Sequence, residues 1–195
     1  MHIRLSVLAA FAATAFLACN SSGPRALSPT PTSGISGSFA AQPSSAEAKQ
    51  HAVLLMDACD PETFNAAIGP GTCIRSGGVR FEDFINQLTR HGSIGAWHFA
   101  PSNVTMKVGE LLVANNRGGE EHTFTEVEEF GGGIVPALNQ VLGLSTVAPE
   151  CQQLGPGDRI APGASSSEEE DEEGVEKYQC CIHPWMRAEV RITEK

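Results

Sequence analysis

The segment richest in reactive side chains is Cys180-Cys181-Ile182-His183-Pro184-Trp185-Met186. Thiolate, imidazole and thioether recur at every third residue, at Cys180, His183 and Met186. A hairpin loop can fold such a segment around one ion. His122 stands upstream, at the start of an alternating run. Two imidazoles, one thiolate and one weak thioether are donors suited to copper in single-electron chemistry. Thiolate and thioether favour Cu(I), and imidazole accepts both oxidation states. A long axial bond holds the geometry between the two preferences, so little rearrangement accompanies the gain of an electron. The plainer reading of the loop is a disulfide-bonded turn with incidental His and Met neighbours.

These donors need strands to carry them. From Trp97 onward the hydrophobic period is two. Val104, Met106 and Val108 alternate with Thr105 and Lys107, and Gly109-Glu110 turns into the apolar run Leu111–Ala114. After polar Asn115–Glu120, residues His122, Phe124 and Glu126 alternate with Thr123, Thr125 and Val127. Ala188, Val190 and Ile192 alternate with Glu189 and Arg191. Short strands separated by turn signals predict an all-β sandwich. Residues 128–174 read as a long connection with Gly131-Gly132-Gly133, a helical turn near Pro136–Leu142, and an acidic run. Residues 46–95 read partly as helix. Asp60 caps a short one, with Pro61 at its first position, Glu62 in its first turn and Gly69 beyond its end. Phe81, Phe84, Ile85 and Leu88 mark the buried face of a second, stopped by Gly92. Met56 and Met106 read as core, and His51, His91 and His98 have no ligand-like setting.

The N-terminus reads as an address. Met1–Arg4 is basic, and Leu5–Ala18 is uncharged and rich in Ala and Leu. The run is short for a membrane span and fits a signal peptide over 1–19. Cys19 follows Phe16-Leu17-Ala18, as in a lipoprotein cleavage site, with Phe16 where Leu is usual; ordinary cleavage nearby is the alternative. In residues 20–45, 17 of 26 are Ser, Thr, Gly or Pro, which predicts a disordered tether. Residues 46–195 are long enough for a full core. No other apolar stretch is long enough to span a membrane. Net charge is -10, from 23 acidic and 13 basic residues, which argues against nucleic acid and anionic lipid and for a basic protein partner. Six cysteines point away from a reducing cytosol unless some bind metal.

The C-x-x-H-x-x-M loop of Cys180, His183 and Met186, with Pro184-Trp185-Met186-Arg187, resembles that of the cupredoxin family, most closely its amicyanin and pseudoazurin branches. Phe99–Glu110 is similar to the family's second strand and turn. Asn115-Asn116 with His122-Thr123 is similar to the approach to its first histidine. The resemblance covers residues 97–195. It implies a Greek-key cupredoxin β-sandwich, with 46–96 as a partly helical N-terminal extension. It also implies one type 1 copper held by His122, Cys180, His183 and Met186, and electron transfer without substrate turnover. Thr123 is expected to hydrogen-bond the ligand loop. Pro184 and Trp185 are expected in an apolar patch at the His183 edge, where the electron leaves for a redox protein partner.

Cys180 has the family spacing to His183, and Cys181 does not. In a strand the two face opposite ways. Cys59, Cys73, Cys151 and Cys181 then remain, an even number. Cys59 with Cys73 closes a small loop around the first helix, and Cys151 is left to meet Cys181. A dinuclear copper centre needs three residues between its thiols, which adjacent Cys180 and Cys181 do not provide. An enzyme is not expected, because four protein donors leave no open coordination position. The expected function is an exported electron carrier, in a bacterial periplasm or else membrane-tethered or extracellular, with Cys19 as the candidate lipid anchor. The alternatives are a copper-handling module without redox traffic and a protein-binding domain that keeps only the fold. Glu168–Glu173, six consecutive acids, reads as a solvated loop or a docking patch for a basic partner.

Overall fold

The structure, a computed structural model, describes residues 48–155 and 157–194. The expected signal peptide over 1–19, Cys19 and the whole expected tether over 20–45 lie outside the described residues.

Alternating apolar residues build two four-stranded sheets. The first runs β2 (His98–Ala100), β1 (Gln50–Met56), β4 (Leu111–Asn116), β8 (Ser165–Glu169). The second runs β3 (Asn103–Lys107), β10 (Arg187–Thr193), β9 (Gly174–Gln179), β6 (Thr125–Val127). β5 (His122–Thr123) pairs with β7 (Arg159–Ile160) as a separate ribbon. β1 is parallel to β4, β3 is parallel to β10, and the other pairs are antiparallel. The chain passes repeatedly from one sheet to the other, so the two inner faces share one core. Val53, Leu55, Leu112 and Ala114 come from the first sheet, and Val104, Met106, Tyr178, Ala188, Val190 and Ile192 from the second. Phe124 stacks on Tyr178 at 4.3 Å and meets Phe99 edge-on at 5.1 Å within this sandwich.

The helices stand where the capping signals put them. α1 (Pro61–Ala67) is capped by Asp60, whose carboxylate accepts from the Thr63 N–H at 3.0 Å. α2 (Phe81–His91) ends at Gly92, whose φ of 67° is the left-handed conformation glycine tolerates. α3 spans Pro136–Leu142. Phe64 of α1 meets Phe81 and Phe84 of α2, and stacks on Trp97 at 5.8 Å. This aromatic cluster belongs to the same core as the sheets.

β1, β7 and β8 fall where the sequence reading placed no strand. The partly helical segment 46–96 contains β1, bonded to both β2 and β4. Val53 and Leu55 are buried, but Ala52, Leu54 and Met56, which alternate with them, are apolar too, so no polar alternation reveals a strand. The long connection 128–174 contains β8, made wholly of exposed Ser and Glu, which has no apolar face to show.

The acidic run is not uniformly solvated. Glu168 and Glu169 end β8, whereas Glu170 turns inward and is buried. The Tyr178 hydroxyl lies 3.0 Å from Glu170 and 2.9 Å from Glu176. One phenolic proton cannot serve two carboxylates, so the arrangement is satisfied when one carboxyl keeps its own proton. Burial and the neighbouring Glu176 push the Glu170 carboxyl up to about 7. An acid raised on folding contributes stability that is complete below about 4.5 and lost as pH rises through about 7. Melting temperature is therefore expected to fall between pH 5 and pH 8. Glu170→Gln, whose amide can donate to Glu176, is expected to flatten that fall in a thermal-unfolding series; an equally steep variant would contradict this assignment.

Candidate metal centre

The site forms where the strand ends meet. β9 delivers Cys180, and the loop after it closes on itself: Cys180 N–H donates to the Met186 carbonyl at 3.0 Å, and Met186 N–H to the His183 carbonyl at 2.9 Å. Arg187 Nε donates to the Pro184 carbonyl at 2.8 Å. His122 arrives on β5 through a loop gathered by Asn116. The Asn116 amide donates to the Glu120 and Ile160 carbonyls at 2.8 and 2.7 Å, and its oxygen accepts from the Gly118 N–H at 2.9 Å.

These elements bring the candidate donors together. Cys180 Sγ lies 3.8 Å from His122 Nδ1 and 3.8 Å from His183 Nδ1. All three residues are buried. One ion can reach donors at this spacing, since N and S ligands bind transition ions at about 2.0–2.3 Å. Met186 is buried in the core cluster that also holds Cys180. The sulfur also accepts from the backbone N–H groups of Thr123 and His183, both at 3.4 Å. Burial alone would raise the Cys180 thiol. Hydrogen bonds and positive charge from His122 and His183 outweigh it and hold the thiol well below the ordinary value. Burial would likewise lower His122, but Asp57 and Cys180 lift it to about 9. One sulfur and two imidazole nitrogens are thus gathered, buried, where a single ion could reach all three.

The outer faces of both imidazoles carry carboxylates that sequence reasoning missed. Asp57, just after β1, lies 2.9 Å from His122 Nε2. It also accepts from the N–H groups of Gly119 at 2.9 Å, Glu120 at 3.0 Å and Cys59 at 3.2 Å. A Cβ at Gly118 would overlap this carboxylate, so the loop needs glycine there. Burial would raise Asp57, but the His122 hydrogen bond and the Glu120 and Gly119 N–H groups hold it at about 2. Glu120 lies 3.7 Å from His183 Nε2 and accepts from Trp97 Nε1 at 2.7 Å. Burial raises its carboxyl. Asp57 is 65 positions from His122 and follows an apolar run, so only the fold reveals it. Glu120 stands two residues before His122 in a polar loop, a local signal that was available.

Thr123 sits behind the ligand strand. Its hydroxyl oxygen accepts from the Cys181 N–H at 2.7 Å. Cys181 faces away from Cys180 and is bonded to Cys151; Cys59 is bonded to Cys73. Pro184 is buried and Trp185 half-buried. The Trp185 ring meets His183 edge-on at 5.3 Å and lies 6.0 Å from Phe84. Pro184 and Trp185 line one surface cavity of about 280 Å³. His183 lines another of about 510 Å³, with Ile74, Pro162 and Ile182.

Solved structures similar to this chain include cupredoxins. A purple cupredoxin from Nitrosopumilus maritimus is 17% identical at a TM-score of 0.40, over 73% of this chain and 98% of its own. A reduced amicyanin with tryptophan replaced by tyrosine is 23% identical at 0.35, over 51% of this chain and 77% of its own. A reduced Cu(I) amicyanin at pH 4, with proline replaced by glycine, is 20% identical at 0.35, over 54% and 89%. No protein-family model and no curated protein matches the chain. What the site can hold follows from its own donors.

Thr123→Val keeps the shape of the side chain but strands the Cys181 N–H in a buried place. That is expected to cost about 1–3 kcal/mol. Denaturant unfolding measures it, and Thr123→Ser, which restores the acceptor, is expected to recover most of the loss.

Proposed function

We propose that this chain is an exported single-electron carrier built on one type 1 copper. His122, Cys180 and His183 are its strong ligands and Met186 its weak axial one. The observation that carries the reading is the convergence of one buried thiolate and two imidazole nitrogens at 3.8 Å spacing. The donor set fits copper: a soft sulfur with two imidazoles suits an ion that alternates between Cu(I) and Cu(II). When bound, the ion accepts and gives up one electron.

The chain's own residues do the rest. Backbone N–H groups of Thr123 and His183 orient the thiolate and share its charge. The hydrogen-bonded loop from Cys180 to Met186 fixes the donors, so a change of oxidation state meets a rigid cage. Burial excludes water, and four protein donors leave no position for a substrate, which is why we assign no enzymatic turnover.

The electron's exit is His183, the ligand that borders a surface cavity. Ile74, 61% exposed, lies on that cavity's rim and suits brief apolar contact with a redox protein. Pro184 and Trp185, whose ring touches His183, form a second candidate face. The acidic turn after β8 lies at the far end of β9 from Cys180, about 20 Å away at 3.3 Å per residue. It suits steering of a basic partner rather than direct transfer. Export through residues 1–19, a tether over 20–45 and a lipid on Cys19 belong to the same proposal.

Loading the full chain with Cu(II) is expected to give intense thiolate-to-copper absorption and narrow EPR hyperfine splitting, both absent in Cys180→Ser. Reversible one-electron reduction would complete the case. A coloured protein locked in one oxidation state would favour copper handling, and a colourless one with both disulfides intact would sink the copper reading.

A further inference from the structure

We infer that Asp57 and Glu120 are positioning residues of the copper centre, two carboxylates that back its two imidazole donors and bias the ion toward Cu(II). This rests on the copper reading above and deepens it.

The geometry is symmetric in kind. Each histidine turns Nδ1 toward Cys180 and Nε2 toward a carboxylate. Asp57 hydrogen-bonds His122 at 2.9 Å with both side chains essentially sealed from solvent. Glu120 approaches His183 at 3.7 Å, an electrostatic contact rather than a hydrogen bond. Neither carboxylate is a surface accident. Asp57 is held by three backbone N–H donors, and Glu120 by the Trp97 indole. Trp97 in turn packs into the aromatic cluster of α1 and α2. The segment between β1 and β2 thereby acquires a task at the site.

A carboxylate on the far nitrogen makes an imidazole a better electron donor and fixes its orientation. Fixed negative charge in a poorly solvated interior also favours the more positive of two ions. Both effects stabilise Cu(II) over Cu(I), and both are stronger at Asp57, which is closer and directly hydrogen-bonded. The step concerned is Cu(II) plus one electron giving Cu(I), with an electrode as the donor in the test below.

Protein-film or solution voltammetry on the copper-loaded full chain tests this, with EPR as a control on the ligand set. Asp57→Asn is expected to shift the Cu(I)-to-Cu(II) preference at least tenfold toward Cu(I), a rise of about 59 mV for one electron. Glu120→Gln is expected to move the potential the same way by less, with the type 1 EPR pattern retained. Asp57 serves several donors, so its variant risks misfolding. Glu120→Gln keeps an acceptor for Trp97 and decides the matter alone. A copper-loaded Glu120→Gln protein whose potential is unmoved or lowered overturns the role of the carboxylates and leaves the carrier reading standing. A wild-type chain that takes up no copper overturns both.

Discussion

A buried thiolate is the constraint around which this molecule is organised. Cys180 is fully shielded from water, and a charge in such a place survives only with partners on every side. Two imidazoles and two backbone N–H groups supply them. Those partners come from β5 and from the loop between β9 and β10, so these two segments must meet before the charge is tolerated. The carboxylates behind the imidazoles extend the pattern outward. Sulfur, imidazole and carboxylate follow one another outward from the centre, and Glu120 links the series to Trp97 of the aromatic cluster.

How much of this was legible in the sequence depends on distance along the chain. The Cys180, His183 and Met186 spacing is local and could be read directly. His122 was found because it opens an alternating run. The helices were legible because Asp60, Pro61 and Gly92 are chemical punctuation. β1 was hidden because both of its faces are apolar, and β8 because both are polar. In each case a strand without alternation gives the sequence nothing to announce. Asp57 was hidden for another reason: a carboxylate after an apolar run carries no hint that a histidine 65 positions away needs it.

The region before Trp97 is woven into the site rather than added beside it. β1 lies between β2 and β4, and the residue just after β1 reaches the outer face of His122. The Cys59–Cys73 bridge and the Asn65 side chain, which bonds the Cys73 backbone in both directions at 2.9 Å, hold the loop that borders the His183 cavity. A boundary drawn at residue 96 therefore runs through one hydrophobic core, which contains Phe64 and Phe84 as well as Val190.

Adjacent Cys180 and Cys181 pose a problem of assembly. The chain presents two neighbouring thiols, and only Cys181 is meant for Cys151. Pairing Cys151 with Cys180 would consume the donor and turn the strand by one residue, which exchanges its inner and outer faces. The correct bridge works as a register key, because closing it forces Cys180 toward the histidines. With Cys151 and Cys181 joined, Cys180 is left as the one free cysteine among the described residues, its sulfur 3.8 Å from an imidazole nitrogen of both His122 and His183.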